Sequence, residues 1–125
     1  MTAPSFDPAP TDLVSVDVAL SGPGAVVTAS GEIDSTSAPV LRDRLTALLD
    51  EAVADVTVDL TGVTFLDSAG LCVLATAHRR AREEQVALRV LAATRAVIRP
   101  LQITGLWQLL GAEEVDPAVD DQSVA

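Results

Sequence analysis

The residues best suited to chemistry in this chain stand together at Asp67 and Ser68, inside the run Val56 to Leu74, VTVDLTGVTFLDSAGLCVL. The run reads as an alternating strand that stops at Leu60 and passes through a short turn into an apolar helix beginning near Ser68. The first N–H groups of a helix lack backbone partners, and Asp and Ser are side chains that cap them. A serine there is also a candidate nucleophile, which would need a base within reach. The single histidine, His78, lies on the same expected helix, about 15 Å along the axis at the usual rise, which is too far for a Ser–His pair. No second imidazole or thiol pair joins His78 or the single cysteine, Cys72, in a metal site, and no glycine-rich phosphate loop is present. The chain therefore reads as a protein that is not an enzyme and uses neither cofactor nor metal. Cys72 reads as a small buried hydrophobe. His78, Arg79, Arg80 and Arg82 read as solvated groups near the C-terminal end of the helix dipole.

The elements that must position Asp67 and Ser68 are legible from periodicity. Val14, Val16, Val18 and Leu20 alternate with polar or small residues, and Ser21-Gly22-Pro23-Gly24 follows as a turn. Ala25 to Ser30 then makes a second strand, so close that the two form an antiparallel hairpin. Gly31 to Asp34 is expected to leave the sheet, with Ser35, Thr36 and Ser37 as caps and Pro39 in the first turn of a helix. Leu41, Leu45, Leu48 and Leu49 give that helix one core face, and it ends near Ala52. Asp55 to Leu60 returns as a strand, and strand–helix–strand order implies a parallel crossover. After the Ser68 helix, which runs to about Glu84, Leu88 to Leu91 is a fourth strand. Thr94 caps a helix carrying Val97, Ile98 and Leu101, which Pro100 should kink or shorten. Gly105 suits a helix end, and Leu106, Trp107, Leu109 and Leu110 form a last apolar cluster, with Trp107 as a packing residue. Because the strands alternate with Asp, Ser, Thr and Arg, the helices should cover mainly one face of the sheet.

At 125 residues the chain is long enough for one core and too short for two. Residues 1–10 read as a flexible tail, 11–117 as the domain, and 118–125 as a flexible acidic tail. Glu113, Glu114, Asp116, Asp120 and Asp121 read as a solvated acidic segment. No apolar run is long enough to span a bilayer and no secretory signal opens the chain, so a cytoplasmic protein without a membrane partner is expected. All eight basic residues are Arg, set against eighteen acids for a formal charge of -10. Nucleic acid is excluded as a partner, since binding it draws on clustered positive charge; a basic or mixed protein surface fits.

The run DSAGL at Asp67 to Leu71, preceded by Phe65 and Leu66 and by the VDL of a strand, resembles the signature of the anti-sigma-factor antagonists, which are bacterial STAS-domain proteins. Gly31-Glu32-Ile33-Asp34 and Thr104-Gly105-Leu106 fit the same family in order and spacing. The resemblance implies an α/β fold, a STAS-like mixed β-sheet of four to five strands with helices mainly on one face. The family's usual final helix would need an apolar run after Val115, so it is expected to be truncated. The resemblance also implies phosphorylation of the first hydroxyl residue after the Asp, here Ser68. Ala69 stands where members often carry a second Ser or Thr, which leaves Ser68 as the sole acceptor. The implied partner surface is Asp34, Asp67, Ser68, Ala69, Gly70 and Leu71. The implied partners are an anti-sigma factor serine kinase, bound only by the unphosphorylated form so that a sigma factor is freed, and a PP2C-type phosphatase. A STAS interaction module of a stressosome, or of a lipid or anion transport system, is the alternative.

Overall fold

A computed structural model describes residues 14–51 and 53–115. The expected tails and the domain limits at 11 and 117 lie outside these residues, as does any final helix after Val115. The elements follow in the order β1 (Val14–Ser21), β2 (Gly24–Ile33), α1 (Ala38–Asp50), β3 (Asp55–Leu66), α2 (Ser68–Glu83), β4 (Ala87–Ala92), α3 (Arg95–Thr104), α4 (Leu106–Leu109) and β5 (Glu113–Glu114). Among the described residues they form one five-stranded sheet in the order β1-β2-β3-β4-β5. The first pair is antiparallel and the rest are parallel. Each parallel crossover steps the same way across the sheet, and right-handed connections then place every helix on one face. Val16, Val27, Val58 and Val90 lie buried under that layer. The other face carries Asp17, Thr28 and Asp59, paired in register across β1, β2 and β3.

The hairpin, the Leu41/Leu45/Leu48/Leu49 face of α1 and the parallel crossovers agree with expectation. Several boundaries do not. β3 continues past Leu60 to Leu66, and β2 keeps Gly31, Glu32 and Ile33 in the sheet, paired with Val63, Phe65 and Leu66. The register between the two strands shifts twice, between Thr28 and Ser30 and between Gly31 and Glu32. Each shift inserts an extra residue on β3, so its buried positions become Leu60, Val63 and Leu66 and the two-residue alternation is lost. Asp59 steadies the first irregularity, its Oδ1 accepting from the Thr61 N–H at 2.9 Å and the Thr61 hydroxyl at 2.7 Å.

Thr94 makes no side-chain cap on α3; its hydroxyl donates instead to the Val63 carbonyl at 2.9 Å, tying α3 to β3. α3 runs through Pro100 to Thr104, with Val97, Ile98 and Leu101 buried. Gly105, at φ 82, then separates α3 from α4. Glu113 and Glu114, expected in a solvated acidic segment, are exposed but form β5 beside Leu91 and Ala92. A side-chain bond from Arg89 to Glu113 at 3.2 Å accompanies that pairing. Of the last apolar cluster Leu110 is buried, Leu106 and Trp107 are half-buried against the core, and Leu109 is exposed.

Candidate functional site

The irregularities in β3 set the geometry of the site. They bring Ile33 and Leu66 into register as neighbouring last residues of parallel strands, so Asp34 and Asp67 leave the sheet side by side at its C-terminal edge. The Asp67 N–H donates to the Ile33 carbonyl at 3.1 Å and fastens the two ends together. No turn separates β3 from α2: Asp67 alone lies between them.

Asp67 is the cap of α2. Its carboxylate accepts from the Ala69 N–H at 2.9 Å, which leaves Ser68 as the first helical residue with its side chain exposed. The helix then buries Gly70, Leu74, Ala77 and Ala81 and turns Ser68, Cys72, Thr76 and Arg79 to solvent. Leu71 and Val73 are half-buried, so the start of α2 presents apolar surface beside the serine, as four consecutive apolar residues on a helix must. Cys72 is exposed, contrary to expectation, because it falls on the Ser68 face one turn further on.

Gly70 faces inward and meets the strand ends. A methyl group at that position would overlap Leu66 Cδ1 and sit 2.9 Å from Ile33 Cγ2. The glycine lets the first turn of α2 settle onto the same two residues that place Asp34 and Asp67. Asp34 has a structural task as well. Its Oδ1 accepts from the Thr36 N–H at 2.9 Å and the Ser37 N–H at 3.0 Å, with the Ser37 hydroxyl oxygen 3.2 Å away. Ser37, itself buried, donates that hydroxyl proton to the Glu32 carbonyl at 2.7 Å. The Ser37 N–H, foremost among these donors, holds the Asp34 carboxyl below its ordinary value of 3.8.

The six expected surface residues thus gather at one sheet edge, in two layers. Asp34, Asp67, Ser68, Ala69 and Leu71 are exposed or half-buried, while Gly70 shapes the site from beneath. Two features were not foreseen. Phe65, turned outward by the β3 irregularity, is 46% exposed near Asp67 in sequence and on the same strand end. A groove of about 430 Å³ also runs between α1 and α2, from Ser35 and Ala69 past Pro39, Arg42 and Cys72 to Arg80. Arg80 bonds Glu84 on its own helix and Asp50 of α1, closing the far end. Helix pairing creates the groove, and no local pattern announces it. Among the described residues no cluster of His, Cys, Asp or Glu could hold a metal ion, and no helix is long and apolar enough to cross a membrane.

A family model described as "Mlab, STAS domain" matches residues 16–111. The anti-sigma-B factor antagonist of Bacillus subtilis is 33% identical over 97 residues, covering 78% of this chain and 88% of the relative. Its counterpart in Listeria monocytogenes is 30% identical, covering 70% and 76%. Among solved structures, an anti-sigma factor antagonist from Mycobacterium paratuberculosis superposes with a TM-score of 0.76 at 30% identity, covering 97% of this chain and 94% of that one. The fold is shared with the anti-sigma factor antagonist SpoIIAA in its unphosphorylated form, at a TM-score of 0.71 and 16% identity over 88% of this chain and 96% of that one. SpoIIAA is also known in a phosphorylated form.

Proposed function

From the premise that the chain belongs to the STAS domain family, as one of its anti-sigma factor antagonists, we propose that it is a partner switch controlled by phosphorylation of Ser68. The observation that carries this reading is the exposure of Ser68 at the first position of α2, with Asp67 already occupied as the cap. A kinase can reach such a hydroxyl without unfolding anything. The unmodified protein binds a kinase-type anti-sigma factor through the edge formed by Asp34, Asp67, Ser68, Ala69 and Leu71, and so frees a sigma factor. Half-buried Leu71 and the apolar mouth of the α1–α2 groove supply surface for a partner to cover.

Phosphate at Ser68 adds about -1.5 to -2 charges, and the helix N-terminus offsets part of that by about 0.3–1 kcal/mol. The fold therefore accepts the group. A partner seated over α2 would have to desolvate the phosphate beside Asp67 and Asp34, at a penalty of several kcal/mol. A PP2C-type phosphatase reverses the change. The test is intact mass and site mapping after incubation with kinase-type anti-sigma factors of the parent cell and ATP. One phosphoryl group on Ser68 and none on Ser68→Ala is the expected result. Modification of Ser68→Ala to the same extent as wild type would reject the assignment, and no modification by any such kinase would favour a STAS module of a stressosome or transport system.

A further inference from the structure

We infer that β1 is a self-association edge, through which two copies of this chain join antiparallel into one continuous sheet centred on Val18. Among the described residues β2 lies along one side of β1 and no strand along the other. Protein edges are ordinarily blunted by charges, Pro, bulges or shortness. Of these β1 has only one charge, Asp17: it is eight residues long, holds no Pro and pairs with β2 without a register break. Its last apolar residue, Leu20, is 69% exposed.

The hydrogen-bonding direction follows from the hairpin. Gly22 at φ 58 followed by Pro23 forms a two-residue turn between Ser21 and Gly24. Such a turn closes on a hydrogen-bonded pair, so Ser21, Ala19, Asp17 and Ser15 bond β2 while Leu20, Val18, Val16 and Val14 turn their N–H and C=O groups outward. A second β1 must use that outward set. Centred on Val18, it pairs Val18 with Val18, Val16 with Leu20, Asp17 with Ala19 and Ser15 with Ser21. Leu20 is covered, and Asp17 never meets its own copy. Centring on Asp17 would oppose two carboxylates, a destabilising arrangement; centring on Ala19 would shorten the pairing to five residues. The helices of both copies then share one face, and the site on α2 stays free at another edge of the sheet.

A strand pair of this length buries less than the ~1,200 Å² of a standard interface, which puts the association among weak, transient ones. It tightens with salt, which screens the repulsion between two chains of formal charge -10. The experiment is sedimentation of the full chain up to about 1 mM with Val18→Pro and Leu20→Lys beside it, the concentration being set by that weak affinity. Val18→Pro removes an outward N–H and leaves the β2 ladder whole, at the loss of part of the Val18 packing on the core, whereas Leu20 is exposed and Leu20→Lys carries no such loss. Lysine at 20 lowers the net charge, so any lost association comes from the edge itself. Both should weaken association at least about tenfold, and Leu20→Lys should do so with a melting temperature near wild type. Spin labels on Ala19→Cys, in a Cys72→Ala background, should lie about 7 Å apart along the strand axis, against about 20 Å for labels on Ser15→Cys. A monomer throughout the range, undiminished association in Leu20→Lys, or labels at 15 closer than labels at 19 would each overturn the inference.

Discussion

Replacing Gly70 by alanine separates the packing account of the site from a purely helical one. An alanine in a helix is favoured over glycine by about 1 kcal/mol, so on propensity alone Gly70→Ala would stabilise α2. The backbone raises no objection, since Gly70 is not among the residues with positive φ. The obstacle is space: the new methyl would overlap Leu66 Cδ1 and lie 2.9 Å from Ile33 Cγ2. Leu66 is 4% exposed and Ile33 fully buried, so neither can swing into solvent. With two contacts this close to buried side chains, the cost falls in the upper part of the overpacking range, about 2–3 kcal/mol. The net expectation is a loss of about 1–2 kcal/mol, which in a domain of this size lowers the melting temperature by about 4–16 °C. Calorimetry and urea titration would measure it. The cycle is completed in a Leu66→Ala background, where the clashing Cδ1 is gone and alanine at 70 should become neutral or stabilising, a coupling of about 1–2 kcal/mol. Unchanged or raised stability of Gly70→Ala in the wild-type background, or an equal cost in both backgrounds, would refute the reasoning.

Asp34→Ala should lower the melting temperature at neutral pH, because the Thr36 and Ser37 donors lose their acceptor. Since the folded Asp34 carboxyl titrates below 3.8, its contribution is present above that value and lost as pH falls through the folded one; the variant should show a shallower acid limb, read by melting scans from pH 2 to 7. Cys72 should react stoichiometrically with a maleimide in the folded protein, and the adduct, one turn from Ser68, should abolish anti-sigma factor binding without unfolding; a native protein that resists labelling would contradict its exposure. Pro100→Ala should raise stability by about 1–3 kcal/mol in urea titration by restoring a helical N–H within α3.

The periodic parts of this chain were open to reading. Leu41, Leu45, Leu48 and Leu49 of α1, the Val14–Leu20 strand and the Val56–Val58–Leu60 alternation follow simple spacings because one face of each is buried. Asp67 and Ser68 were legible for the same reason, as polar residues where a strand hands over to an apolar helix. The strand ends were not. Two register shifts on β3 change the spacing of buried residues from two to three, so Val63 and Leu66 look like loop, and with them the pairing that sets Asp34 beside Asp67. Thr94 reads as a cap because a threonine before a helix has two uses, of which its hydroxyl takes the other, donating to the Val63 carbonyl. Cys72 reads as buried because its type favours burial, but its exposed position on the helix is fixed by Gly70 and Leu74 facing the core.

The central claim is that one phosphoryl group at Ser68 switches binding without altering the fold. The measurement that tests it most directly is titration calorimetry of the unmodified and stoichiometrically phosphorylated protein against the same anti-sigma factor, with melting curves of both free forms. A desolvation penalty of several kcal/mol predicts affinity lower by about a hundredfold or more in the phosphorylated protein, with its melting temperature close to that of the unmodified one. Equal affinity of the two forms, or weakened binding that tracks a collapse in melting temperature, would contradict it.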